Sequence, residues 1–245
     1  MPAVHAGMAQ GLARQDGGHL LALGAHTYLC AATLNHFGTA EQKRKYIPKL
    51  ASGEWIGCMG LTEPGAGSDA ASMRTTAVKK GDKYILNGSK TFITNAPIAQ
   101  VMVVYASLDK SKKHECITAF IVEKDYPGFS TGTPFHKMGC KCSTTSEVFF
   151  EDCEVPLENC LGGEFKGWQM ALSSVEWDRC TLLAPFLGTA TYSMEICSKY
   201  DNDRVQFNKS IREFQAIQHR IANMRLFIEA SKLAIYRVAS SKDNG

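Results

Sequence analysis

The spacing of apolar and polar residues changes twice along the chain and predicts three regions. Residues 1–54 are rich in Ala and Leu, and Gly38 favours a helix end there. Thr39–Gln42 has the form of a capping box and opens a further helix, whose end we predict at Pro48. Gly53 closes the region. The apolar face of that second helix carries Tyr46, Ile47 and Leu50.

Residues 55–160 consist of short β-branched and aromatic runs separated by turn residues. The strand-like runs are residues 84–86, 91–94, 101–105, 118–122 and 147–150. Gly81-Asp82 predicts the bend of a hairpin, and further turns are predicted at Asn87-Gly88, residues 110–114 and residues 126–128. Many short strands with this punctuation predict an antiparallel barrel or sandwich.

Residues 161–245 return to a helical pattern. One helix is predicted over about residues 168–200, bent at Pro185, and a second, long amphipathic helix follows it. The apolar face of the second helix carries Phe214, Ile217, Ile221, Met224 and Ile228. The order helical, β-rich, helical predicts an α+β fold with domains at residues 1–54, 55–160 and 161–245.

The run Met59–Asp69 is the strongest local signal for a bound ligand. It combines a proline-fixed bend with two glycines and the hydroxyls of Thr62 and Ser68. Backbone amides in such a bend form a cup for an anion or a polar ring edge. Residues 65–70 formally fit the dinucleotide pattern G-x-G-x-x-A, but a proline precedes them and strands follow. The run therefore lacks the strand–helix context of a Rossmann site.

Composition narrows the classes of function. The 245 residues carry a formal net charge of +3, too little to predict nucleic-acid binding. No apolar stretch is long enough to predict a membrane span, and the first residues lack a signal-peptide core. Nine cysteines predict reduced structural thiols in a reducing compartment. Cys140-Lys141-Cys142 alone lacks the paired spacing of a zinc site, so no metal is predicted.

These motifs, in this order, resemble the flavin-dependent acyl-CoA dehydrogenases, and most closely the isovaleryl-CoA dehydrogenase branch. The resemblance spans nearly the whole chain, which is shorter than the family's usual length at both ends. The segments that carry it are residues 38–43, 61–69, 92–95, 127–129, 137–139 and 150–153, with Arg204, Phe207, Ile211 and Gln215. It implies the fold of that family: an N-terminal helical part, a central antiparallel β-barrel and an incomplete C-terminal helical bundle.

The resemblance implies an enzyme that removes a proton from the carbon next to a thioester carbonyl and passes a hydride to flavin N5. The implied FAD contacts are Met59, Gly60, Leu61, Thr62, Gly67, Ser68, Phe92, Ile93, Thr94, Arg204, Phe207 and Gln215. Arg204 and Gln215 would reach the FAD of a neighbouring subunit, which implies a homodimer or homotetramer. The family often has Trp in place of Phe92 and Gly in place of Asn208, and a plain core strand is the alternative interpretation of residues 92–94.

For the catalytic base, the resemblance points to Asp178. The isovaleryl-like branch has a glutamate directly before an arginine on this helix, and here Asp178 precedes Arg179. Aspartate is one methylene shorter, and a base must come within hydrogen-bond reach of the proton. Glu176 is the alternative, but two positions along a helix are about 200° apart, so the two side chains cannot share a face. The implied substrate contacts are Ser68, Gln169 and Arg179.

Three functions remain open at this stage. The first is an acyl-CoA dehydrogenase with electron-transfer flavoprotein as its acceptor. The second is a dehydrogenase of an acyl group bound to a carrier protein. The third is a catalytically silent scaffold subunit that pairs with a full-length relative. The family implies a cytoplasmic location in a bacterium and the mitochondrial matrix in a eukaryote.

Overall fold

The structure is a computed structural model that describes residue 11 and residues 17–243. It leaves undescribed the side chains at positions 17, 110, 112, 113, 177, 178, 180, 181, 242 and 243. The chain forms two compact units, residues 21–178 and residues 1–20 with 179–245. No described helix is both long enough and apolar enough to cross a membrane. The three predicted domains stay a prediction.

The first described region is helical, as the sequence predicts. It contains α1 (Gly17–Gly24), a π-helix (Ala25–Ala31), α2 (Ala32–Phe37) and α3 (Ala40–Ser52). The capping box is formed, because Thr39 Oγ1 accepts from Gln42 N and Gln42 Oε1 accepts from Thr39 N. Gly53 then ends α3 with a left-handed backbone (φ 77°).

The predicted helix end at Pro48 is wrong. Pro48 lies inside α3, which continues to Ser52. A proline costs a helix one hydrogen bond and a steric conflict with the preceding turn. Tyr46 and Leu50, on either side of it, are fully buried, so packing of the apolar face holds the helix together through the proline.

His26, in the π-helix, connects three elements. Its Nδ1 accepts from the N–H of Gly57, and its Nε2 lies 3.1 Å from the carbonyl oxygen of Leu50 at the end of α3. Because Nδ1 accepts, Nε2 carries the proton and donates to Leu50, and burial lowers the pKa of His26 in favour of this neutral form. A side chain at Gly57 would meet Cys30 Sγ at 2.5 Å, so the π-helix and the first strand can pack closely only because residue 57 is glycine.

The central region is one mixed sheet. Its strands are β1 (Gly57–Gly60), β2 (Thr76–Lys80), β3 (Lys83–Thr94), β4 (Val101–Ser107), β5 (Ile117–Glu123), β6 (Phe129–Thr131), β7 (Thr145–Pro156) and β8 (Cys160–Leu161). The order is β6-β7-β3-β2-β4-β5-β8, with β1 paired to β4. The predicted antiparallel barrel needs two corrections. β1 and β2 pair with β4 in parallel, and the sheet of the described residues does not close on itself.

The sheet separates two apolar cores. Along β4, Met102, Val104 and Ala106 face a core formed within the sheet region, whereas Val101, Val103 and Tyr105 face a core shared with the N-terminal helices. All these side chains are buried. β4 is therefore apolar at every position, because both of its faces pack against other elements.

The predicted turn at Asn87-Gly88 is wrong, because β3 runs through it. Asn87 Nδ2 donates to Asp152 Oδ1, and Asp152 N donates to Asn87 Oδ1, so the side chain pairs with β7 across a register shift. Gly88 has φ 143°, and a Cβ there would meet Thr75 Oγ1 at 2.6 Å. The Asn-Gly pair thus marks an irregularity inside a strand. The predicted bend at Gly81-Asp82 is confirmed, since Lys80 pairs with Lys83.

The C-terminal region is helical with a short hairpin. The predicted single helix over residues 168–200 is two helices, α4 (Gly167–Thr181) and α5 (Ala184–Asp203), because Pro185 lies in the first turn of the second. Strands β9 (Val205–Gln206) and β10 (Lys209–Ser210) follow, and then α6 (Gln215–Asp243).

Candidate active site

The run Leu61–Asp69 follows β1 as a tight loop. Glu63 N donates to the carbonyl of Ala66, and Ala66 N donates to the carbonyl of Glu63, both at 3.1 Å, so Pro64 and Gly65 form a closed turn. Pro64, Gly65, Gly67 and Ser68 are exposed at its surface. The loop is thus ordered by its own hydrogen bonds while its tip faces outward.

A buried ion pair fixes the base of the loop. Lys90 Nζ lies 2.8 Å from Glu63 Oε1 and donates to the carbonyl of Leu61 at 3.2 Å. Glu63 also accepts from the backbone N–H groups of Arg74 and Thr75, at 2.6 and 3.0 Å. Burial raises the pKa of Glu63, but Lys90 and these hydrogen bonds outweigh it and hold that pKa below its ordinary value. Burial lowers the pKa of Lys90 to about 8.

The loop leaves hydrogen-bond donors unused. Within the described part of the chain, the N–H groups of Thr62, Gly65, Gly67 and Ser68 donate to no acceptor, and the hydroxyls of Thr62 and Ser68 have no partner. Such a set of donors suits a polar ring edge or an anion.

An exposed aromatic ring lies on the adjacent strand. Phe92 has φ 58° at a register shift of β3, and its side chain is 69% exposed, with its ring 5.5 Å from that of Phe135. The next residue, Ile93, is buried in the sheet core, and Thr94 is half-buried opposite Thr145. The interpretation of residues 92–94 as a core strand therefore applies to Ile93, whose side chain is not available to a ligand.

The loop and this strand segment form one assembly. Thr91 N donates to the carbonyl of Thr62 at 2.9 Å, next to the contacts of Lys90 with the loop. The structure thus brings together Leu61, Thr62 and Phe92 of the predicted cofactor residues. Met59 and Gly60 belong to β1 below the loop, where a Cβ at Gly60 would lie 3.2 Å from Lys90 Cγ.

Three further predicted cofactor residues lie in the hairpin of the C-terminal unit or at the helix ends that flank it. Arg204 ends α5, Phe207 is in the turn between β9 and β10, and Gln215 is the first residue of α6; all three are exposed. Phe207 and Asn208 have φ 55° and 61°, the pair of positive angles that a two-residue hairpin turn requires. The hairpin and the helix ends beside it therefore expose an aromatic ring, an arginine and an amide.

The predicted catalytic residues lie on α4. Asp178 is in this helix, but its side chain lies outside the described residues. Glu176, Arg179 and Gln169 are exposed. The assignment of the base stays a prediction.

Sequence reasoning missed Lys90 and Glu63. They are 27 positions apart, and only the fold joins them. One signal was present: Lys90 interrupts the apolar pattern of a strand-like stretch whose neighbours include Leu86 and Ile93. A charged residue at such a position marks a buried pair or a functional site.

Three family profiles match consecutive parts of the chain. They are described as the acyl-CoA dehydrogenase N-terminal domain, at residues 3–54, the middle domain, at residues 58–153, and the C-terminal domain, at residues 166–245. The chain belongs to the acyl-CoA dehydrogenase family. The resemblance predicted from the motifs is thereby confirmed.

Relatives within the acyl-CoA dehydrogenase family include both short-chain and branched-chain enzymes. A short-chain specific acyl-CoA dehydrogenase of Clostridium acetobutylicum is 43% identical over 223 residues, covering 91% of this chain and 59% of its own length. A mitochondrial isovaleryl-CoA dehydrogenase of Oryza sativa is 42% identical over 234 residues, covering 96% and 57%. The chain thus spans about six-tenths of the length of these curated relatives.

Solved structures share the fold along nearly the whole chain. One comes from a structural study of the electron transferring flavoprotein of Acidaminococcus fermentans. It has a TM-score of 0.94 and 46% identity, and the match covers 97% of this chain and 62% of that one. Another is the prolyl acyl carrier protein oxidase AnaB, with a TM-score of 0.94 and 41% identity over 98% of this chain and 64% of that one. The acyl-CoA dehydrogenase fold is therefore established for this chain.

Proposed function

We propose that this protein takes part in FAD-dependent α,β-dehydrogenation of an acyl thioester. The observation that carries the proposal is the loop Leu61–Ser68. The N–H groups of Thr62, Gly65, Gly67 and Ser68 have no acceptor among the described residues, and the loop is tied directly to the strand segment that exposes Phe92. These residues fit a flavin, because the loop offers N–H and O–H groups to its polar edge and Phe92 offers an aromatic face.

FAD, when bound, would supply the atom that accepts the hydride. The residues of this chain would bind and orient it. Thr62 and Ser68 would donate to its polar edge, and Phe92 would form one wall. Donors fixed in advance at that edge stabilise negative charge as it develops during reduction, because they need not reorganise.

Asp178 is the proposed general base, with Glu176 as the alternative. Both belong to α4 and lie about 200° apart around it, so the two assignments place the substrate on different faces of the helix. A carboxylate must approach within about 3 Å of the proton that it removes. Because the side chain of aspartate is shorter than that of glutamate, the distance from the helix axis to the substrate decides whether Asp178 can reach the proton.

The hairpin with Arg204 and Phe207 supports an assembly of several subunits. Arg204 is exposed, and its planar guanidinium could bind a pyrophosphate in a bidentate manner. We propose that Arg204, Phe207 and Gln215 contact the FAD of a neighbouring subunit in a homodimer or homotetramer. Electron-transfer flavoprotein is the proposed electron acceptor.

A second candidate differs only in the carrier of the acyl group. The similarity to a prolyl acyl carrier protein oxidase favours a carrier-protein thioester as the alternative to acyl-CoA. The two can be distinguished by offering the same acyl group on CoA and on a carrier protein.

The test is the visible spectrum of the purified protein after incubation with FAD. We expect a bound, oxidised flavin band that bleaches when acyl thioester is added anaerobically. A protein that gains no flavin band would contradict the proposal and favour the silent-scaffold alternative, particularly if flavin binds after a full-length relative is added.

The base is tested with two matched variants. Asp178→Asn should slow bleaching by about two orders of magnitude or more while leaving the oxidised band intact. Glu176→Gln, on the same helix, serves as the control and should bleach at the parental rate. The reverse pattern would assign the base to Glu176, and parental rates in both would remove the base from this segment.

A further inference from the structure

We propose that Lys90 is a positioning residue that orients the peptide groups of the flavin-binding loop. Its ammonium group holds the carbonyl of Leu61 inward, and this turns the amide of Thr62 toward the ligand. The proposal rests on the proposed flavin function, which it extends to a residue that would not touch the cofactor.

The ammonium group of Lys90 makes its contacts below the loop. Lys90 is fully buried, and its Nζ donates to the carbonyl of Leu61 at 3.2 Å and to Glu63 Oε1 at 2.8 Å. It also lies 3.9 Å from Met73 Sδ. Burying an ammonium group costs free energy unless its N–H donors find acceptors. The Leu61 carbonyl is one of the few acceptors that Lys90 has.

The planar peptide group links the direction of the Leu61 carbonyl to that of the Thr62 N–H. In a trans peptide the carbonyl and the following N–H point in opposite directions, and the described chain has no cis peptide. With the Leu61 carbonyl directed at Lys90, the N–H of Thr62 must point away from the core. Thr91 N donates to the Thr62 carbonyl, so two successive loop carbonyls are each held by a hydrogen bond from residues 90 and 91.

The turn at Glu63–Ala66 fixes a further peptide group of the loop. The Ala66 carbonyl accepts from Glu63 N, which by the same argument directs the N–H of Gly67 away from that contact. Glu63 is therefore held through both its backbone and its carboxylate. Hydrogen bonds thus fix the carbonyls of Leu61, Thr62 and Ala66, while the N–H groups of Thr62 and Gly67 have no acceptor among the described residues.

The energetics of a buried ion pair also favour an orienting role for Lys90. Exchanging a buried ion pair for apolar residues of similar volume often leaves stability unchanged or improves it. A gain in stability alone therefore does not explain why Lys90 and Glu63 form a buried pair. Its specific effect is orientation, since an apolar side chain at position 90 could not hold the Leu61 carbonyl.

The first test needs no flavin. We would compare Lys90→Met and Glu63→Gln by amide hydrogen exchange and NMR of the protein without cofactor. Lys90→Met should lose protection at the Thr91 amide, which donates to the loop, while the amides of β4 and β5 stay protected. Glu63→Gln keeps a donor on the Leu61 carbonyl and should retain the Thr91 protection. Lys79→Met, which removes an exposed pair with Glu164, is the control.

The second test uses FAD as the probe. Lys90→Met should weaken FAD binding by about tenfold or more and shift the flavin midpoint potential to a more negative value, because fewer donors face the ring. Glu63→Gln should change the FAD affinity and the midpoint potential less than Lys90→Met does. This should hold even if the two variants lose the same amount in melting temperature. If Lys90→Met is poorly folded, the double variant Glu63→Gln/Lys90→Met, which leaves no unpaired buried charge, replaces it.

The outcomes separate the two proposals. Equal effects of Lys90→Met and Glu63→Gln on potential and affinity would overturn the positioning role and leave a structural ion pair. The positioning role would also be overturned if Glu63→Gln/Lys90→Met had the FAD affinity and the midpoint potential of the parental protein. If the parental protein binds no FAD, the proposed function fails, whereas loss of Thr91 protection in Lys90→Met still supports the orienting role.

Discussion

At the scale of single residues, two strongly exposed aromatic side chains lie at residues with positive backbone angles. Phe92 has φ 58° and Phe207 has φ 55°, and they are 69% and 87% exposed. A bulky residue in this region is strained, and exposing its ring gains no burial in return. Strain of this kind is typical of sites that bind a ligand, and both residues belong to the predicted flavin contacts.

The turn between β9 and β10 gives a prediction for Asn208. Its φ of 61° is close to the angle that glycine adopts without strain. Asn208→Gly should therefore leave the free energy of unfolding unchanged or raise it by less than ~1 kcal/mol. Asn208→Ala should lower it by about 1 kcal/mol. Urea unfolding measures both, and equal stability of the two variants would contradict the role of the backbone angle.

Lys90 gives a prediction on pH. Its pKa is lowered by burial from the ordinary 10.5 to about 8, although Glu63 partly opposes this shift. Between these values the unfolded chain binds the proton more tightly than the folded one. The Lys90 contribution to the free energy of unfolding therefore rises as pH increases from about 8 toward 10.5.

The measurement is urea unfolding across this pH range, with Glu63→Gln/Lys90→Met as the reference. The difference between the parental protein and the double variant should grow in favour of the parental protein with pH. A difference that does not change with pH would show that Lys90 keeps its ordinary pKa.

At the scale of elements, local sequence signals gave correct predictions where they depend on residues close together in the chain. The capping box of α3, the Gly53 helix end and the Gly81-Asp82 bend are all formed. The signals at Pro48 and Asn87-Gly88 gave wrong boundaries. In both places distant contacts outweigh a local preference of a few kcal/mol: burial of the α3 face, and pairing of β3 with β7.

The capping box of α3 gives a prediction at this scale. Thr39→Ala removes the acceptor for Gln42 N and should lower the free energy of unfolding by about 1 kcal/mol. Thr39→Ser keeps the hydroxyl and should behave almost as the parental protein. Thermal or urea unfolding provides the comparison, and equal losses in the two variants would point to the threonine methyl group instead.

At the scale of the whole molecule, the C-terminal unit has more apolar surface than it covers. In α6 the predicted face is the more buried one, with Ile217, Ile221 and Met224 half-buried and Ile228 buried. A second set of large side chains is exposed on the same helix: Leu226, Phe227, Leu233 and Val238. A helix that is apolar on more than one face is typical of a buried position, so we expect this surface to be covered in an assembly.

This surface predicts association of the chain in solution. Phe227→Lys/Leu233→Lys should lower the sedimentation coefficient or the tendency to aggregate, because it places charge on the exposed stripe. Arg225→Lys on the same helix keeps the charge and serves as the control. A parental protein that sediments as a monomer at micromolar concentration would contradict the expectation.

The sequence by itself determined the order of helical and β-rich regions, the local caps and bends, and the motif order that identifies the acyl-CoA dehydrogenase family. These depend on residues close together in the chain, whose preferences survive folding. The tertiary structure alone decided that Phe92 faces outward while Ile93 enters the core, and that Lys90 reaches the loop of Glu63. These outcomes depend on which surfaces meet between residues that are far apart in the chain. A local sequence pattern does not contain the free energy of burying one side chain against another.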